Sequence, residues 1–480
     1  MKTYIKHILC LLICVGVLSC DDYLDVQPED KFLEEQLFSN EEGFYTALNG
    51  VYAKIVAENG YGGDLTMSTI EIMAQQYNID FQHSKFPYAT YSYTDGAVQA
   101  KFDNIWTNMY TSILNVNNLL LGLELYPEVL SADKENIIAG EAYALRAMLH
   151  FDLLRLFGPI YSTNAQDDAI PYYTESKAQM AEMLTAEQVI SKILADLESA
   201  ETLLENDPVR VDGPLKSVGE DYSVNFFRFR NLRLNYFAVK ALQARVNLYA
   251  GNNEAAFLAA NAVIDEASVF FPWVIDEEVV SGGANIDRIF STEVLFALDN
   301  TELYNRQSRY FEASLEYDNI LAPLRDRLGE VFEGYNQDYR FPYSWFISNE
   351  GSKDYETFFK FADIEDKDKT SRFMQPLIRM SEMYYIAAET AEDEQTALDY
   401  LNTVREERGL GDGTQLIPGV DLQNEIFKEY RKEFIGEGQL FFYYKRKNIS
   451  SIQSGTTSSE IGMTAAQYVV PLPLSETDYR

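Results

Sequence analysis

Few side chains in this 480-residue sequence could carry covalent or metal chemistry. All three cysteines, Cys10, Cys14 and Cys20, fall within the first twenty positions, beside His7. Removal of the segment before Cys20, with acylation of Cys20 itself, would leave no free thiol for nucleophilic attack, disulfides or metal ligation. Two histidines remain. His150, in Met148-Leu149-His150-Phe151, sits in an amphipathic helical pattern where a packed or surface role is expected. His83, in Phe81-Gln82-His83-Ser84, occupies a polar and aromatic loop where it is free to touch a ligand, but no HExxH spacing makes it a metal ligand. The sequence contains no GxSxG and no P-loop either. With 75 acidic residues, carboxylate pairs roughly 5–10 Å apart will arise by chance and identify no glycosidase. No catalytic residue, metal site or cofactor is expected, and the acidic run Asp363-Ile364-Glu365-Asp366-Lys367-Asp368 lacks the glycine and alternating oxygens of a calcium loop.

The N-terminal segment has its own logic. Lys2 and Lys6 form a basic region, Ile8 to Leu18 an apolar run, and Val17-Leu18-Ser19-Cys20 has the form of a lipobox. Residues 1–19 are expected to be a lipoprotein signal peptide and Cys20 the lipidated residue. The apolar run is too short to span a hydrocarbon core, which takes about 20 residues. Asp21 and Asp22 follow at once, an acidic pair that resembles surface-export signals, with inner-membrane retention as the competing reading.

The formal net charge is −36. A chain this acidic would be repelled by a polyanion, so nucleic acid is not expected as a partner. With 46% hydrophobic and 14% aromatic residues, the chain can build a large core.

The elements that must position any site read as helices. Ala142, Leu145, Leu149, Leu153 and Leu156 recur at helical steps before Gly158-Pro159, and Thr185 with Gln188 has the spacing of a capping box. Similar periodicity runs through about 41–57, 98–125, 132–157, 234–250, 253–267, 376–391, 395–408 and 421–436. Ala238, Ala241 and Leu242 lead through Gly251-Asn252-Asn253 into Ala255, Ala256, Ala259, Ala260 and Ala262, a pattern resembling a tetratricopeptide hairpin, and Ala387-Ala388 through Leu401 repeats it loosely. Such pairs need neighbours to bury their second faces, so a stacked solenoid is expected. The fold class is therefore mainly α, a tetratricopeptide-like helical-repeat scaffold with large irregular loop-rich insertions carrying a few short strands. One strand is expected at Glu293 to Leu298. The insertions, about 60–97 and 268–375, are dense in rings: twenty of the 92 residues from Phe270 to Phe361 are aromatic. Loops this long point to an ordered, functional cap.

The motifs then become specific. Tyr23-Leu24-Asp25-Val26-Gln27-Pro28 after the cysteine, Trp106 to Tyr110 through Ile113, Glu141-Ala142-Tyr143-Ala144-Leu145-Arg146-Ala147 to Phe157-Gly158-Pro159, Arg379 to Tyr384, Leu401 to Leu410, Glu425 to Arg446 and Val470-Pro471-Leu472-Pro473 together resemble the SusD/RagB-like outer-membrane nutrient-binding lipoproteins. Tyr430, Gln439 and Tyr443-Tyr444 depart from the family pattern. The resemblance implies one domain over 20–480, with the helical scaffold at about 41–57, 98–157, 185–267 and 376–446 and the ligand-face loops at about 60–97 and 268–375. It implies an outer-membrane, lipid-anchored location facing the exterior and a SusC-like TonB-dependent transporter as partner, to which oligosaccharides are delivered. Arg146, Arg379, Glu382, Arg405 and Glu433 are expected to pair between helices.

In that family the ligand face is built from the variable loops. Sugar C–H faces pack on aromatic rings while polar side chains bond the hydroxyls, which makes Tyr77, Asn78, Phe81, Tyr88, Tyr91, Tyr93, Trp273, Trp345 and Phe346 the candidate ligand-binding residues. The alternatives are a peptide cargo on the same architecture, favoured by an enclosed groove, and a surface glycosidase.

Overall fold

The structure is a computed structural model that describes residues 35–177, 180–214, 226–411 and 413–478. The signal segment 1–19, Cys20 and the Tyr23–Pro28 tether lie outside the described residues. Ten helices carry the architecture: α1 (Glu41–Ile55), α2 (Gly96–Leu125), α3 (Ala132–Phe157), α4 (Ala186–Leu203), α5 (Tyr236–Ala250), α6 (Asn253–Ala267), α7 (Met380–Thr390), α8 (Glu394–Glu406), α9 (Leu422–Glu433) and α10 (Leu440–Arg446). From α1 through α9 consecutive helices pack on one another, which is the stacked-hairpin arrangement the periodicity predicts.

Local chemistry sets the helix ends. Asn40 Oδ1 accepts from Gly43 N at 3.1 Å at the start of α1, and Asn235 Oδ1 accepts from Ala238 N at 3.0 Å at the start of α5. The Thr185–Gln188 capping box is formed in both directions, at 3.3 and 3.0 Å, satisfying backbone donors that the first turn leaves open. Gly251 ends α5 with φ +79°, a left-handed turn that glycine adopts without strain. Ala238, Ala241, Ala256 and Ala260 are fully buried where α5 meets α6, whereas Ala255 faces solvent.

Charged pairs tie the layers. Arg146 on α3 forks onto Asp196 on α4 with two bonds of 2.7 Å, and Arg245 on α5 grips Glu382 on α7 with two bonds of 2.6 Å. The densest group surrounds Glu433 at the end of α9, whose carboxylate meets Arg340, Arg379 and Arg408. Arg408 continues to Glu293 at 2.6 Å, and Arg405 reaches Glu429. Such buried pairs tolerate no loss of one partner, because the other charge is then left uncompensated.

Among the described residues, strands form four two-stranded antiparallel sheets, one pairing β1 (Asp168–Pro171) with β2 (Met183–Thr185). The longest joins β3 (Val294–Asp299) to β6 (Met374–Arg379). The first agrees with the expected strand. The second corrects the expected helical boundary near 376: all six residues of β6 are buried and their backbone is claimed by β3, so the helix starts only at Met380. The other insertion strands of note are β4 (Trp345–Phe346) and β5 (Thr357–Phe358), and β7 (Ser451–Gln453) pairs with β8 (Glu460–Gly462) near the C-terminus. One continuous apolar cluster runs from Phe38 to Val470. Among the described residues no helix is long and apolar enough to cross a membrane.

Candidate functional site

The loop 60–97 is held by deep contacts at its root. Glu71 on the short helix Thr69–Met73 is fully buried, and its Oε1 accepts from Gly438 N at 2.8 Å. Gly438 has φ +71°, and a Cβ there would stand 1.9 Å from the Leu65 carbonyl oxygen, so only glycine permits this approach. Burial pushes the Glu71 carboxyl up to about 8, against donation from Gly436 and Gly438.

Beyond that root the loop crosses onto the 316–322 segment of the large insertion. Asn78 N donates to the Ala322 carbonyl at 2.7 Å and Ser84 N to the Asp318 carbonyl at 2.8 Å. Asn78 Nδ2 donates to Tyr317 Oη at 3.0 Å, and Tyr317 in turn donates to Asp80 Oδ2 at 3.1 Å. Asn78 Oδ1 is buried and has no hydrogen-bond partner among the described residues. His83, expected to be free for a ligand, is only 3% exposed. Lys85 N donates to its Nδ1 at 3.0 Å, which leaves the proton on Nε2 to face the Ile320 carbonyl at 3.2 Å. Its imidazole is a strut between the two loops, and burial lowers its pKa.

The candidate rings divide sharply. Phe81 is 78% exposed at the loop tip. Phe346 is 37% exposed, stacked on Phe359 at 3.8 Å, and followed by exposed Ile347. Tyr77, by contrast, lies in the core against Phe311 and donates to the Met67 carbonyl at 3.0 Å. Tyr91 donates to the Met73 carbonyl at 2.7 Å and Tyr88 to the Ala97 carbonyl at 3.3 Å, both rings buried. Trp345 is buried on Phe358 at 4.4 Å. These four rings stabilise the insertions and present no face to a solvent-borne ligand, because each loop has too little backbone pairing to order itself without an apolar interior. Tyr93 is half-buried, donates to the Gln467 carbonyl at 2.6 Å, and borders a groove of about 340 Å³ with Phe102 and Pro471. Trp273 lies apart, half-buried on Tyr384 at 5.0 Å with the Arg408 guanidinium 5.4 Å from its ring.

The fold therefore ties Asn78 and Asp80 to the unforeseen Tyr317, which is 43% exposed, in the stretch that continues directly into Phe81. The signal for Tyr317 was its setting, Glu316-Tyr317-Asp318-Asn319, a ring flanked by polar residues inside the aromatic insertion. The result is an amide, a phenol and a carboxylate bonded to one another, with the exposed Phe81 ring following Asp80 in the chain. The acidic run at 363–368 is used internally: Asp363 accepts from Arg372 at 3.0 Å and from Lys367 at 2.9 Å. Among the described residues no three His, Cys, Asp or Glu side chains group as metal ligands.

Comparison with known proteins matches residues 22–215 to a family model described as starch-binding associating with outer membrane and residues 331–468 to the SusD family model. SusD-like protein P2 of Formosa agariphila is 23% identical over 98% of this chain and 97% of its own length. SusD-like protein P38 of the same organism is 25% identical over 53% of this chain, a match that takes in only 44% of that relative. A SusD superfamily protein from Bacteroides thetaiotaomicron superposes with a TM-score of 0.71 at 22% identity, covering 91% of this chain and 97% of that one. Surface glycan-binding protein A from the same species, solved with laminarihexaose, superposes with a TM-score of 0.65 at 16% identity over 92% and 98%. With residues 22–215 and 331–468 matched by SusD-like and SusD family models, the chain belongs to the SusD/RagB-like family.

Proposed function

We propose that this protein binds oligosaccharides at the surface formed by Phe81, Asn78, Asp80 and Tyr317, and that it hands them to a SusC-like TonB-dependent transporter without cleaving them. The observation that carries this reading is Phe81: a phenyl ring 78% exposed, beside hydrogen-bonding groups already oriented by one another. That pairing suits the amphipathic faces of a pyranose. Its openness favours a sugar over a peptide, which would seek an enclosed groove or an unpaired strand edge. Phe346 with Ile347 is a second exposed apolar element on the insertion and a secondary contact in this reading. The glycan complex of the similar surface protein supports the same ligand class. In this proposal residues 1–19 are removed, Cys20 is acylated, and residues 20–480 sit as one domain on the outer membrane facing the exterior.

Titration of the purified protein against a panel of plant, microbial and mucin-derived oligosaccharides tests the reading, with product analysis on the same samples. Binding without turnover is expected. Turnover would overturn the non-enzymatic part, and binding of peptides but no glycan would overturn the cargo.

A further inference from the structure

The loop that carries Asn78 and Phe81 also carries Lys85 and receives Arg431 at Gln76, two cations incompletely neutralised in a chain of net charge −36. Among the described residues Arg431 on α9 donates only to neutral amides, Nε to Gln76 Oε1 and Nη1 to Gln453 Oε1, both at a long 3.4 Å. Arg327 lies close enough that, after burial, the Arg431 charge is the next influence holding its pKa below the usual value. Arg327 is 4% exposed and spends its Nη atoms on the Ser454 and Thr457 carbonyls, at 3.0 Å each. Glu330 Oε2 accepts from Gln453 Nε2 at 2.9 Å and lies 3.2 Å from Arg327 Nε, an ion pair in which that buried nitrogen makes no hydrogen bond among the described residues, where no carboxylate pairs with Arg431 either. Gln76 is 7% exposed, and its Nε2 is a buried donor with no hydrogen-bond partner among the described residues. Its neighbour Gln75 is held at φ +60°, a conformation costly for a non-glycine residue.

A second cation lies nine positions along the same loop. Lys85 is half-buried, 5.7 Å from the Tyr88 ring centroid. The charged groups that act on it are Lys101, Asp64, Glu58 and Arg309. Both carboxylates are already engaged, Asp64 by Lys101 at 2.8 Å and Glu58 by Arg309 at 2.5 Å. Lys85 is the charge left over.

We propose that the cargo is an acidic oligosaccharide, bearing a carboxylate or a sulfate ester, whose anionic group is received by Arg431 and the Gln76 amide while a neighbouring unit passes Lys85. An acidic protein repels anionic glycans at long range, so recognition requires local, incompletely neutralised donors of this kind. The inference rests on the glycan reading above and narrows its ligand class.

Calorimetric titration of the full chain with an oligogalacturonate hexamer, a sulfated galactan hexasaccharide and neutral laminarihexaose tests it. At least one acidic ligand is expected to bind tenfold or more tightly than the neutral one, and whichever arm shows the preference identifies the group. Arg431→Gln is expected to abolish that preference with the neutral affinity unchanged. Lys85→Gln, at a partly solvated position, carries the same test if the first variant does not fold. A neutral ligand bound as tightly as the acidic ones overturns the inference and leaves the glycan reading standing. No binding in any arm overturns both. An acidic preference that survives both substitutions overturns the assignment to these residues.

Discussion

Asn78 Nδ2 donates to Tyr317 Oη at 3.0 Å across 239 residues of sequence, and this bond joins the two aromatic insertions into one surface. Tyr317 passes the interaction on to Asp80, so the polar groups beside Phe81 are held in place before any ligand arrives. Preorganisation of this kind spares the ordering cost that weak, open binding sites can least absorb.

Phe81→Ala should therefore weaken glycan binding by tenfold or more, about 1.4 kcal/mol, with little change in thermal stability because the ring is exposed. Tyr317→Phe should weaken binding through loss of the oriented Asn78 and Asp80. Calorimetric titration with parallel melting curves checks both, and unchanged affinity in the two variants would refute the site.

Removing the charge of Glu433 should be far more damaging to the fold than to the ligand surface. Its carboxylate meets Arg340, Arg379 and Arg408 with no exposure at all; burial alone would raise its pKa, but these guanidiniums hold it well below the ordinary value. Glu433→Gln leaves three buried cations under-compensated and should cost about 3–5 kcal/mol in chemical denaturation.

Acid should destabilise the protein in two steps. Burial pushes His150 down to about 3, with Nδ1 on the Arg146 carbonyl and Nε2 accepting from Tyr173 N. An unfolded histidine gains its proton near pH 6.5, so stability falls between about pH 6.5 and about 3. Glu389 is held at about 2, burial being outweighed by Arg446 and Lys447. Its contribution is present above about pH 4.5 and disappears as the pH drops toward about 2. Denaturant midpoints measured from pH 7 to pH 3 should decline, and His150→Phe should flatten the upper part of the decline.

Glu71 works in the opposite sense. Its folded pKa, about 8, lies above the unfolded value, so its contribution is greatest below about pH 4.5 and is lost as the pH rises through about 8. Glu71→Gln, which keeps an acceptor for Gly438 N, should be relatively more stable than the parent at pH 9 than at pH 6. Identical pH profiles for the two proteins would contradict a buried, protonated carboxyl.

What the sequence determined by itself is whatever depends on neighbours in the chain. The limits of α3 and α6, the Thr185–Gln188 box, the Gly251 turn and the β3 strand are legible because caps, periodicity and left-handed glycines act over a few residues. The interhelical roles of Arg146, Glu382 and Glu433 followed from motifs on helices, where spacing already implies a face. Tertiary structure alone decided which rings meet solvent. Tyr77, Tyr91 and Phe81 have similar polar and aromatic neighbours, yet two are packed inward and one protrudes. The difference lies in contacts with Met67, Met73 and the 316–322 segment that no local pattern encodes. Tyr317 entered the proposed site and His83, expected to be free to touch a ligand, was closed off for the same reason: in an irregular loop without a helical or strand period, burial is set by distant segments that close over it.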